Sequence, residues 1–155
     1  KAMIKFFYII FTLLYVSFAY SESSVKAGKS LIWDSENQSY TANGDVEFKN
    51  DKFTAYADKM IAKYIEKQNK EIFTTVELFE NVKIEFEEEV FRGNHAIYTR
   101  DDNIIKLTGD VSIESPTRLL TGYELIADID NNKRILNSAN DESLVEVLLD
   151  NNAKN

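Results

Sequence analysis

Cysteine is missing from all 155 residues, which excludes disulfides, redox thiols and Cys-based zinc sites. Histidine occurs once, at His95, and a lone imidazole cannot build a metal centre, so it reads as a turn or strand-face residue. Proline also occurs once, at Pro116, and glycine only five times. Positive charge is short, with 18 Lys and Arg against 26 Asp and Glu, a net charge of −8. That balance argues against nucleic acid or an anionic membrane surface as the main partner. The shortage is uneven: residues 21–70 carry eight cations and eight anions, whereas 71–155 carry eight against eighteen. One end of an elongated fold is therefore expected to be acidic and the other near neutral, although acidic residues also keep a sheet-rich surface soluble. There is no Gly-x-Ser-x-Gly, no Walker loop and no dinucleotide loop, so nothing marks a nucleophile with its base or a phosphate cradle.

Long apolar runs are scarce too. The clearest uncharged one, Phe6 to Phe18, follows Lys1 and Lys5 and leads into Ser17-Phe18-Ala19 and Ala19-Tyr20-Ser21. A basic start, a short apolar stretch and small residues at the exit predict a signal peptide over residues 1–21, cut after Ala19 or Ser21. Thirteen residues fall short of the roughly 20 a bilayer span takes. An uncleaved anchor drawing on flanking residues is the competing reading. Residues 22–150 would then form one domain, and 151–155 a polar tail.

What is present is aromatic and strand-like: ten Phe, eight Tyr and one Trp. In Ile104 to Ile113, the residues Ile105, Leu107, Gly109, Val111 and Ile113 take every second position, which is the pattern of a half-buried strand. Tyr40, Ala42, Gly44, Val46 and Phe48 repeat it, with Gly44-Asp45-Val46 matching Gly109-Asp110-Val111. Val76, Leu78, Val82, Ile84 and Phe86 form a third copy, with Glu80-Asn81-Val82 at the matching place. Return strands are expected over Phe53 to Tyr64, Val90 to Thr99 and Leu119 to Ile129. Turns are expected at Glu36-Asn37-Gln38, Asn50-Asp51-Lys52, Glu87-Glu88-Glu89, Arg100 to Asn103 and Ser115-Pro116-Thr117, with Glu66 to Lys70 an exposed connection. Both Val82 to Val111 and Gly93 to Gly122 span 29 residues, a repeat too short to bury its apolar face alone. The chain therefore predicts an all-β fold, a rolled or sandwiched antiparallel sheet with almost no helix, and a last strand near Ser143 to Leu149.

These residues resemble the OstA-like family of periplasmic lipopolysaccharide-transport proteins, the LptA type, over roughly residues 25 to 136. The resemblance is carried by Ala27-Gly28-Lys29-Ser30-Leu31, Gly44-Asp45-Val46, Ala57-Asp58-Lys59 with Tyr64, Glu80-Asn81-Val82, Gly93-Asn94-His95-Ala96-Ile97-Tyr98, Leu107-Thr108-Gly109-Asp110-Val111 and Leu120-Thr121-Gly122 with Ala127-Asp128. Gly28 stands where the family has Asp, and Glu80 where it has Gly, both read as turn positions. The resemblance implies an open β-jellyroll whose apolar trough holds the acyl chains of lipopolysaccharide. It further implies head-to-tail copies, and strand-edge docking to LptC-like inner-membrane and LptD-like outer-membrane jellyrolls in the periplasm, with no cofactor and no catalysis.

On this reading Val46, Phe48, Val82, Ile84, Phe86, Tyr98, Leu107, Val111, Ile113 and Leu125 line the trough; from the residues alone a filled core is the better account of them, and the resemblance reverses this for most. Lys26, Lys29, Lys52 and Lys59, with Lys49 and Lys63, are candidates for phosphate contacts at the rim, against the plainer view that they are scattered surface lysines. The run Glu87-Glu88-Glu89 reads as a solvated turn, since calcium loops need spaced oxygens and a Gly. Three other readings stay open: a membrane-anchored LptC-like relative, an exported β-solenoid enzyme acting on polysaccharide, and a purely structural self-assembling module.

Overall fold

The structure, a computed structural model, describes residues 22–150; the expected signal peptide and polar tail lie outside the described residues. Ten strands and no helix make up the described chain. They are β1 (Ser24–Lys26), β2 (Ser30–Asp34), β3 (Ser39–Lys49), β4 (Thr54–Lys67), β5 (Lys70–Phe86), β6 (Glu89–Thr99), β7 (Ile104–Ser115), β8 (Arg118–Asp128), β9 (Lys133–Asn137) and β10 (Glu146–Leu149). All pairings are antiparallel, in the order β1-β3-β4-β5-β6-β7-β8-β10, with β2 also on β3 and β9 also on β8. The sheet does not close: β1 and β2 share one edge, and β9 and β10 the other.

The repeated Gly-Asp-Val triplets are not turns. Gly44-Asp45, Glu80-Asn81 and Gly109-Asp110 lie inside β3, β5 and β7, and all six residues have left-handed φ between 43° and 83°. Each pair is a bulge, facing a single residue on a neighbouring strand: Asp58, Asn94 or Tyr123. A two-residue insertion preserves strand parity, so Ala42 and Val46, Leu78 and Val82, and Leu107 and Val111 all point inward. The facing strands switch parity at the same line, as in Ala57-Asp58-Lys59-Met60, where the first and fourth residues are buried and the middle two exposed. Gly93-Asn94-His95-Ala96 and Gly122-Tyr123-Glu124-Leu125 switch in the same way, with Asn94 and Tyr123 exposed, Ala96 and Leu125 buried, and His95 and Glu124 half-buried.

The first residue of each such quartet is small because the chain runs close to its neighbours here. A Cβ on Gly93 would stand 2.7 Å from Cγ of Leu107, and one on Gly122 would stand 3.2 Å from both Leu136 Cδ2 and the Asn137 carbonyl.

The bulges line up across the sheet as a crease, and the sheet folds in two along it. Contacts between residues far apart in the pairing order record the fold. Phe48 at the end of β3 meets Phe73 near the start of β5, with ring centres 6.0 Å apart. Phe53 meets Tyr98 of β6 at 4.9 Å, and Lys52 reaches Asp130 beyond β8 at 2.6 Å. One layer holds the strand halves paired with β2 and β9, the other those paired with β1 and β10. Their inner faces form one core of Val, Leu, Ile, Phe, Met and Ala side chains.

Glu66 to Lys70 is exposed and connects two strands as expected, and it is the tip of a hairpin, the strands reaching almost to its end. Lys67 pairs with Lys70, and Gln68 and Asn69, with φ of 51° and 58°, make a two-residue turn. Polar strand ends projecting into solvent look like a loop in sequence. The stretch from Val25 to Asp34 is broken in two at the crease, where Gly28 N–H bonds to the Gly44 carbonyl and Lys29 N–H to the Asn43 carbonyl at 3.0 Å.

Candidate functional site

All ten candidate wall residues face the interior and are buried: Val46, Phe48, Val82, Ile84, Phe86, Tyr98, Leu107, Val111, Ile113 and Leu125. Phe91, Met60, Leu78 and Ile105 lie equally deep, and the parity switch hid the first two. Six alanines of the core, Ala42, Ala55, Ala57, Ala62, Ala96 and Ala127, leave room for the layers to approach. The interior is filled by its own side chains; open spaces lie at the mouth, the side away from the crease, and one of about 310 Å³ lies on the crease beside Asn81, Asn94 and Asp110.

The mouth has three parts. Toward the β1 edge, a cavity of about 340 Å³ is lined by Phe48, Phe73 and Tyr98, with Lys70, Glu71 and Arg100 also in its wall. It adjoins a second of about 280 Å³ that adds Val25, Leu31 and Tyr40. The Tyr40 hydroxyl donates to Glu71 at 2.6 Å, and that bond to a carboxylate, reinforced by burial, pushes the phenol up to about 12. Behind it the Trp33 indole N–H donates to the Tyr64 hydroxyl at 2.8 Å.

In the middle, Lys52 donates to Asp130, the Asn103 amide donates to the same carboxylate at 2.8 Å, and the Tyr98 hydroxyl donates to Asn103 at 2.8 Å. The Lys52 bond, then the Asn103 bond, hold the Asp130 carboxyl below the usual carboxylate range, whereas burial raises the Tyr98 phenol.

Toward the β9 edge, Arg134 turns inward. Its guanidinium carbon stands 5.1 Å and 5.3 Å from the ring centres of Phe86 and Phe91, and its Nε donates to Glu89 at 3.0 Å. Arg118 reaches the other Glu89 oxygen at 3.4 Å. The Nη2 of Arg134 is buried with no hydrogen-bond acceptor, an arrangement that typically costs about 1–3 kcal/mol. The charge over two aromatic faces offsets part of that.

Of the four candidate rim lysines only Lys52 spans the mouth. Lys26 pairs with Glu47 at 2.7 Å within one layer. Lys29 packs beside Gly44 at the crease, and Lys59 lies over the Phe79 ring on the outer face. Lys63 reaches the Asn37 carbonyl at 3.4 Å. His95 sits on the outer face of β6, 2.8 Å from Glu77. Among the described residues no trio of His, Cys, Asp or Glu is arranged to hold a metal ion. The mouth cations that sequence reasoning missed, Lys70, Arg100, Arg118 and Arg134, come from the start of β5, the turn after β6, the start of β8 and β9. No local pattern sets them apart from other surface cations.

A family model described as LptA/(LptD N-terminal domain) LPS transport protein matches residues 25–133. Among solved structures the fold is similar to that of LptH, the LptA homologous periplasmic component of the conserved lipopolysaccharide transport device from Pseudomonas aeruginosa. That match has a TM-score of 0.71 at 11% identity and covers 83% of this chain and 94% of the other. At that identity the likeness bears on the fold alone. No curated protein sequence matches.

Proposed function

Because the chain belongs to the LptA/LptD N-terminal family of lipopolysaccharide-transport proteins, whose members are transport components and not enzymes, we propose that it is a periplasmic carrier that holds the acyl chains of lipopolysaccharide between its two layers. The observation that carries this reading is the unclosed, creased sheet: an apolar interior with a polar, ion-paired mouth along one side and two unpaired sheet edges. Acyl chains need apolar area and no directed bonds, which this interior supplies. Since the interior is filled, the layers must part for chains to enter, and the Lys52–Asp130 contact across the mouth is what opening breaks. A passive trough only equilibrates its ligand, so direction would come from an energised partner at the inner membrane.

The edges support a second element of the reading, head-to-tail stacking of copies and docking to LptC-like and LptD-like jellyrolls. β2 exposes Leu31, Ile32 and Trp33, and β10 exposes Val147, Leu148 and Leu149, each more than half. Joining the β9/β10 edge of one copy to the β1/β2 edge of the next continues both layers. A contact of that kind does not close on itself. The acidic excess of residues 71–155 against the balanced 21–70 favours the same order.

The test places a photoreactive residue at Ile84 or Leu107 of the purified protein and adds lipopolysaccharide. Lipid adducts that saturate with ligand are expected from both positions. Absence of saturable binding would remove the carrier reading and leave a self-assembling module.

A further inference from the structure

At the β9 end of the mouth, Glu89 is gripped by two arginines from different strands, Arg134 at 3.0 Å and Arg118 at 3.4 Å. Arg134 and Glu89 are both largely withdrawn from solvent, with side chains 11% and 16% exposed. The grip is incomplete, because Nη2 of Arg134 is buried beside the Phe86 and Phe91 rings with no acceptor. Nη1 donates to the Asp128 and Lys133 carbonyls at 3.2 Å, and Glu89 gives one oxygen to Nε and the other to Arg118, so Nη2 alone is left over. A phosphate monoester has three terminal oxygens, enough to take the Nε–Nη2 edge two bonds at a time and still meet Arg118. Directly outside lies an open cavity of about 530 Å³ walled by Glu89, Arg118, Pro116 and Asn132. The apolar core begins immediately inside, at Phe86 and Phe91.

We propose that Arg134 and Arg118 form an anion site for the phosphate head of an amphiphile whose chains enter the core, and that Glu89 occupies this site as an internal stand-in until the phosphate displaces it. The inference rests on the carrier reading above and adds to it a residue-level basis for choosing phosphorylated lipids. Displacing Glu89 also removes the ion pair that ties β6 of one layer to β9 of the other, so head binding and the parting of the layers are one event at this end. Glu87 and Glu88 also line the cavity and oppose an incoming anion. They are held at the solvent side of a hairpin tip, where salt screens them.

The experiment measures binding of lipid A carrying its phosphates, of the same lipid stripped of them, and of inorganic phosphate. The proteins compared are the unaltered chain, Arg134→Gln, Arg134→Lys and Glu89→Gln, each checked for an unchanged β-sheet circular dichroism spectrum. The unaltered chain is expected to prefer the phosphorylated lipid by about tenfold, and Arg134→Gln to bring the ratio of the two affinities close to one, whatever change it makes to both lipids alike. Arg134→Lys should keep only part of the preference, since it keeps the charge and loses the fork. Glu89→Gln should bind the phosphorylated lipid severalfold more tightly, because the internal competitor loses its charge. Inorganic phosphate is expected to compete only at millimolar concentration; competition at micromolar levels would make free phosphate, not a lipid head, the occupant and overturn the assignment. Equal loss of both lipids in Arg134→Gln would reduce Arg134 to a packing residue. Equal binding of both lipids by the unaltered chain defeats the phosphate site while the carrier reading stands, and binding of neither defeats both.

Discussion

Gly44, Glu80 and Gly109 occupy equivalent places in three bulges with φ of 75°, 64° and 83°, yet the middle one carries a side chain. A Cβ at positive φ crowds the following carbonyl, at about 1–2 kcal/mol, which glycine avoids at the expense of a freer unfolded chain. Glu80→Gly is therefore expected to stabilise the protein by about 0.5–1 kcal/mol. Gly109→Ala is expected to destabilise it by about 1–2 kcal/mol, because the new Cβ would be strained and would also lie 2.7 Å from Nδ2 of Asn94. Urea unfolding midpoints of the two variants check both signs; a fall for Glu80→Gly would mean that its side chain makes up for the strain. At this scale the sequence was informative about the place and silent about the geometry. The triplets were visible as a repeat within alternating strands, but alternation does not show that the Gly-Asp pair takes left-handed φ and bulges out of the ladder.

All six long strands were expected from sequence, but the inward faces could be read end to end only in the ones that keep parity; in the ones that switch it, Tyr98 and Leu125 alone were named as wall residues. β3, β5 and β7 carry two-residue bulges, so one alternation runs through each and can be read end to end. β4, β6 and β8 change phase at Asp58, Asn94 and Tyr123, so Met60 and Phe91 escaped notice as wall residues although they are as deep as Leu107. β9 was also missed, since Lys133 to Asn137 offers only Ile135 and Leu136 as apolar residues. Its role comes from pairing with β8 and from the one inward arginine. The edge strands carry the test of stacking. Lysines at Val147 and Leu149 of β10 are expected to stop end-to-end association, seen as a loss of oligomers in sedimentation, while leaving the thermal midpoint nearly unchanged because both side chains are exposed. Oligomers that survive both substitutions would argue that this edge is not the contact.

For the molecule as a whole, the crease converts one sheet into two layers, and the mouth contacts hold those layers together. Because the chain has no cysteine, Cys at 52 and 130 would be its only thiols, and a short bis-maleimide can join them across the mouth. The joined protein is expected to lose uptake of lipopolysaccharide, and a reducible linker of similar length should restore uptake on reduction. Unaltered uptake with the layers tied would mean that chains enter elsewhere, such as through the cavities beside β1 and β2.

The sequence by itself determined that this is an all-β chain of repeated strand pairs, and which side chains in the parity-keeping strands turn inward, because alternation is a property of a single extended segment. It also carried the family signature. Only the tertiary structure decided that the repeats bend at a common line and that the interior is filled. It also decided that Phe48 meets Phe73 and that Arg134 grips Glu89 across the mouth. Those pairings join residues far apart along the chain and on different layers, and they exist only once the whole sheet has folded back on itself.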